Sequence, residues 1–121
     1  MNLTQQAHRA YAPVQAHIHT PRAIEARLLS DITSRLRKGP KNYPSFVSAV
    51  QDNRKLWTTL AIEVADRDNV LPQALRAQIF YLAEFTENHT HKILAGTADA
   101  QPLVDINTAV VRGLNGQADA E

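Results

Sequence analysis

Proline and glycine divide this chain into a few stretches, and within each stretch the apolar residues recur at three- and four-residue spacing. No stretch shows the strict alternation of a half-buried strand, so the pattern predicts an all-α chain. In the first stretch Leu3, Ala7, Ala10, Tyr11 and Val14 share one side, and Pro13 ends or bends that helix. Thr20-Pro21 reads as a helix start, because Thr20 can cap and Pro21 lacks only a donor that the first turn does not use. Ile24, Leu28, Ile32 and Leu36 follow as a stripe. Arg35, Arg37 and Lys38 then oppose the negative end of the helix dipole before Gly39-Pro40 stops the helix.

After the connector Lys41 to Pro44, a long helix is expected from about Ser45 to about Arg67, with Phe46, Val50, Asn53, Trp57, Leu60 or Ala61, and Val64 on its stripe. Asp68-Asn69 is turn chemistry. Pro72 is expected to begin a helix that reaches about Leu94 and ends at Gly96. A polar loop from Thr97 to Gln101 leads to Pro102 and a short helix carrying Leu103, Ile106, Val110 and Leu114. Gly113 and Gly116 are read as its end, and residues 115–121 as a frayed tail. The expected architecture is a single domain over residues 1–121: a small bundle of four main helices plus a short C-terminal helix.

Composition narrows the function classes. With 121 residues and 44% hydrophobic content, the chain can bury a core without a disulfide or metal staple. It has no cysteine, which removes disulfide frameworks, thiolate metal sites and cysteine nucleophiles. The polar start Met1 to Gln6 lacks the basic and apolar regions of a secretion signal, and no segment approaches the ~20 apolar residues needed to span a bilayer. The expectation is a cytoplasmic protein with no membrane insertion. A net charge of +1 conceals an asymmetry: residues 1–60 carry +6 and residues 61–121 carry −5. The two halves either neutralise each other within one fold or leave a basic surface for an acidic partner or RNA.

The candidate site residues each carry a structural and a functional reading. Trp57, the single tryptophan, is a core anchor or a partner hot spot. Asn53 and Arg54 lie one turn earlier and can face the same neighbour as Trp57. Asn53 needs hydrogen-bond partners on an apolar stripe. Arg54 is expected to pair with Asp105 or carbonyls, to stack on an aromatic ring, or to contact a partner. Asp66, Asn69, Leu71 and Pro72 build a turn, while Arg76 is an ion-pair or interface candidate. Asp105 and Asn107 are expected to fix the last helix to the bundle. The helix after Pro72 is apolar over a wide arc: Leu75, Ile79, Leu82 and Ile93 mark one face, and Phe80, Tyr81 and Phe85 spill onto others. Such a helix is central in a bundle or has a second surface for a partner.

No catalytic, cofactor or metal site is expected. His17-x-His19 and His89-x-His91 are i,i+2 pairs, which diverge on a helix and chelate poorly. No spacing signals an activated nucleophile, and the glycines form no phosphate loop, so the chain is read as a non-enzyme. Arg35-x-Arg37-Lys38-x-x-Lys41 is a compact basic patch without the aromatic interleaving of an RNA-binding signature.

Several pieces in order, Ala10-Tyr11, Pro21-Arg22-x-Ile24-Glu25-x-Arg27-Leu28, Asn53-Arg54-x-x-Trp57, Asn69-x-Leu71-Pro72-x-x-Leu75-Arg76-Ala77, Pro102-Leu103-x-Asp105-Ile106-Asn107 and Gly113-Leu114, resemble the FlaF family of alphaproteobacterial flagellar biosynthesis regulators. The chain departs from the family pattern at Ala83-Glu84-Phe85, where a tryptophan-containing segment is expected, and in the connector from Gly39 to Ser45. The resemblance implies a non-enzymatic protein that acts with flagellin and an FlbT-like regulator and links flagellin synthesis to secretion. As a secretion chaperone or adaptor it would hold a disordered flagellin segment by helix-in-groove packing. The alternative it leaves open is post-transcriptional action with FlbT on flagellin messenger RNA.

Overall fold

The computed structural model describes residues 21–120, with the side chains of residues 26–113. The helix expected over Leu3 to Val14, the capping role of Thr20 and the pair His17-x-His19 lie outside the described residues. Within them the chain is an all-α bundle of four helices: α1 (Pro21–Arg37), α2 (Tyr43–Ala65), α3 (Gln73–Leu94) and α4 (Gln101–Ala120).

Local chemistry explains most boundaries. Gly39 (φ 72°) and Gly96 (φ 79°) carry the positive φ values that end α1 and α3. At the end of α3, the Gly96 and Thr97 amides donate to the carbonyls of Ile93 (3.0 Å) and Lys92 (2.9 Å), the paired bonds of a Schellman cap. The connector from Gly39 is shorter than the sequence implies. Residues Gly39–Lys41 form a 3₁₀ turn, and Asn42 caps α2 by accepting from the Ser45 amide at 3.2 Å. Tyr43 and Pro44 therefore belong to the first turn of α2, where proline is tolerated.

The last helix differs most from expectation. It is not short: α4 continues through Gly113 and Gly116 to Ala120. A glycine inside a helix costs about 1 kcal/mol relative to alanine, which weakens the helix without stopping it. Gly39 and Gly96 end their helices because they adopt the left-handed conformation, which Gly113 does not.

α1 packs against α4 and α2, and α2 packs against α3, whereas α3 and α4 touch sparsely. Arg54 with Glu87 midway along α2, and the Val64 carbonyl with Arg76 at its C-terminal end, fix the antiparallel register of α2 and α3. The core gathers Leu29, Val50, Leu56, Trp57, Ile79 and Leu103, each at most 2% exposed. Burying each of the aliphatic side chains among them stabilises the fold by roughly 1.5–3 kcal/mol. On α1 the stripe centres on Leu29 rather than Leu28, which is only partly buried.

Candidate functional site

α2 and α3 meet through small residues on their outer side, and this opens a groove of about 480 Å³. Ala61 on α2 and Ala83 on α3 leave space that longer side chains would fill. Trp57 and Thr86 line the groove, and Phe80, 45% exposed, forms a wall. Arg54 and Glu87 stand in the same groove and join α2 to α3. A second hollow of about 420 Å³, beside Gly39 and Gly96, contains Arg37 of the basic patch and none of the other candidates.

The Arg54–Glu87 pair is bidentate. Arg54 donates from Nη2 to Glu87 Oε1 at 2.6 Å and from Nε to Glu87 Oε2 at 3.0 Å. This corrects the expected partner of Arg54, because Asp105 is exposed and instead accepts from Gln101 Nε2 at 2.8 Å. The hydrogen bonds from Arg54 hold the Glu87 carboxyl below the usual carboxylate range, against an opposing push from burial. The same bonds hold Arg54 more firmly in its charged form. His91 Nε2 lies 3.2 Å from Glu87 Oε1, and His89 Nε2 lies 2.8 Å from the Asp99 carbonyl, so the two histidines have separate partners.

Behind the groove, the Trp57 indole Nε1 donates to Asn107 Oδ1 at 2.8 Å, and Asn107 Nδ2 donates to Asn53 Oδ1 at 2.8 Å. Both asparagines are fully buried and Trp57 is 1% exposed. Asn53, Trp57 and Asn107 are thus a polar clasp between α2 and α4, and Trp57 is the core anchor of that clasp. Asp105 takes no part in holding α4 to α2.

Arg76 is not a free interface residue. Its Nε donates to the Val64 carbonyl at 3.0 Å and its Nη2 to the Asp66 carbonyl at 2.9 Å, so it caps the C-terminal end of α2. Asp66 and Asn69 complete the turn by accepting from the amides of Asp68 and Leu71. The wide apolar arc of α3 proves discontinuous. Phe80 lines the groove, whereas Tyr81 and Phe85 are exposed outside it, and Phe85 stacks on His89 with ring centroids 5.7 Å apart.

The model of the flagellar protein FlaF matches residues 7–114. The chain belongs to the FlaF family. The matched span contains every residue that lines the groove, and the chain is a flagellar protein of that family. Comparisons with curated proteins and with solved structures returned no match. Among the described residues no helix is long and apolar enough to cross a membrane.

Sequence reasoning missed Glu87, Ala83 and Thr86 as site residues. Glu87 could have been noticed from its i,i+4 spacing to His91. Nothing in the sequence ties it to Arg54, because that contact depends on the α2–α3 register. Ala83 and Thr86 carry no local signal, since the groove arises from how two helices pack.

Proposed function

We propose that this FlaF-family protein binds flagellin in the α2/α3 groove and couples flagellin synthesis to secretion, as a non-catalytic cytoplasmic chaperone or adaptor. One observation supports the reading: a groove floored by Ala61 and Ala83 stays open beside the half-exposed Phe80. Its lining, with Trp57, Ala61, Phe80 and Ala83 among polar residues, suits an amphipathic helix. A flagellin terminal segment, unfolded before assembly, would order its helix there and be kept from premature polymerisation. Arg54 and Glu87 in the groove neutralise each other, and Glu84 adds one exposed carboxylate beside the apolar residues. An FlbT-like regulator would bind elsewhere on the surface.

Isothermal calorimetry and co-elution with purified flagellin test the reading. Binding at micromolar concentration is expected, with little dependence on salt. No heat and no co-elution would reject it.

The alternative, action with FlbT on flagellin messenger RNA, draws on exposed Lys38 and Lys41. Their neighbours are engaged within the fold: Arg35 pairs with Asp52 at 2.8 Å and Arg37 donates to Thr108 Oγ1 at 3.0 Å. Asp52 therefore neutralises Arg35, while Arg37 stays exposed and charged beside Lys38 and Lys41. RNA binding that weakens steeply with salt would favour this alternative.

A further inference from the structure

Three sides of the bundle are closed and one is not. α1 packs on α4 and on α2, and α2 packs on α3, but α3 and α4 touch sparsely. The seam between them holds a hollow of about 130 Å³, lined by Leu75 and Leu82 of α3 and by Ala109 and Val110 of α4. Leu75, Leu82 and Val110 are half-buried and Ala109 is exposed. Ile106, also half-buried, stands one turn before Val110 on α4. Among the described residues Gln78 is the only polar one in this lining. The seam thus differs from the α2/α3 groove, where Arg54, Glu84 and Glu87 interrupt the apolar lining. An apolar strip of this kind is stabilised by anything apolar that takes it out of water.

We infer that the α3/α4 seam is a docking surface for the chain's own segment Leu3 to Val14, whose apolar stripe packs against Leu75, Leu82 and Val110. The stripe, Leu3, Ala7, Ala10, Tyr11 and Val14, recurs at helical spacing and takes no part in the core or the groove described above. The place of α1 says where the segment can reach. Leu36 and Arg37 share a hollow with Gln101 and Val104, so α1 and α4 run antiparallel. The start of α1 at Pro21 therefore lies toward the C-terminal half of α4, the end at which Leu75 and Gly113 border the seam. Val14 precedes Pro21 by seven residues, which span at most about 25 Å and so cover the distance back to that end. From Leu3 to Pro13 a helix rises about 15 Å, enough to run along the seam from Leu75 past Leu82. The family match begins at residue 7, so most of the segment belongs to the matched domain. An all-apolar stripe suits the seam better than the groove, where it would meet the charges of Arg54, Glu84 and Glu87.

Nuclear magnetic resonance on the full ¹³C,¹⁵N-labelled chain tests the inference without flagellin, so its outcome is independent of the flagellin reading. Nuclear Overhauser cross-peaks are expected from the Tyr11 ring to the methyl groups of Leu75, Leu82 or Val110. Tyr11→Asp, which puts a charge on the stripe, should speed amide exchange at Val110 about tenfold, the scale of one buried aromatic side chain. Gln5→Asp, on the opposite side of the predicted helix, should leave that exchange as in wild type. Absence of the cross-peaks would overturn the inference, as would cross-peaks from Tyr11 to Ala61 and Phe80 of the groove. Equal acceleration in the two variants would overturn it as well. A mixture of ¹³C-labelled and unlabelled chains separates contacts within one chain from contacts between two. Cross-peaks between the two kinds of chain would assign the seam to a second copy and overturn docking of the chain's own segment.

Discussion

The indole N–H of Trp57 donates to the side-chain oxygen of Asn107 at 2.8 Å, and this bond links the middle of α2 to α4 in the core. Asn107 passes the chain on to Asn53, so one amide pairs with both the Trp57 indole N–H and the Asn53 side-chain oxygen. Asn107→Ala would strand the Trp57 donor and the Asn53 acceptor together. The expected loss is at least about 2 kcal/mol in urea unfolding. Trp57→Ala should cost about 3–5 kcal/mol, because it also opens a cavity. A variant of either residue with unchanged stability would contradict the clasp.

The Arg54–Glu87 pair makes a prediction about pH. The Glu87 carboxyl is held below its ordinary value in the folded state. Its contribution is complete above the value of an unfolded glutamate and is lost as pH falls through the depressed folded value. Wild-type stability should therefore drop more steeply on the acid side than that of Glu87→Gln. The two curves should run parallel above the carboxylate range. The check is chemical denaturation from neutral pH down through that range. Both side chains are more than a third exposed, so the difference should shrink at high salt.

Arg76 holds the carbonyls of Val64 and Asp66 at the end of α2. Arg76→Met keeps the aliphatic stem and removes both donations. It should cost about 1–2 kcal/mol, the order expected for charge-assisted bonds at a partly exposed site. Amide hydrogen exchange should accelerate in the last turn of α2 and in the turn after it. Unchanged protection there would mean that the cap contributes nothing.

The glycines separate two roles that the sequence makes look alike. Gly96 sits at φ 79° within the Schellman cap of α3, so Gly96→Ala should destabilise by about 1–2 kcal/mol. Gly113 lies inside α4, and a Cβ built there meets nothing within 4 Å. Gly113→Ala should therefore stabilise by about 0.5–1 kcal/mol. Thermal melts of the two variants should move in opposite directions.

The contrast between these glycines also shows what was legible in the sequence. The apolar spacing of α2 revealed Phe46, Val50, Trp57 and Val64 as core, because helix periodicity is a local property. The buried amide of Asn53 was legible for the same reason: it stands on that stripe and must find a partner. Its partner was not, since Asn107 lies 54 residues away in the chain. Gly113 read as a stop because composition does not reveal φ. Arg76 read as a free cation because its acceptors are backbone carbonyls, which carry no sequence signal. Of the groove, the sequence marked Arg54, Trp57 and Phe80 as candidates, but not that they share one face. The rest of it, Ala61, Ala83 and Thr86, comes from the register of α2 against α3.

On the proposed reading, the face between α2 and α3 receives a flagellin segment. Nuclear magnetic resonance tests it most directly: ¹⁵N-labelled protein is titrated with unlabelled monomeric flagellin and the amide shifts are followed residue by residue. Perturbations are expected around Arg54 to Ala61 on α2 and Phe80 to Asn88 on α3, with the α1–α4 face unaffected. Shifts confined to α1 and α4, or a spectrum that flagellin leaves unchanged, would contradict it.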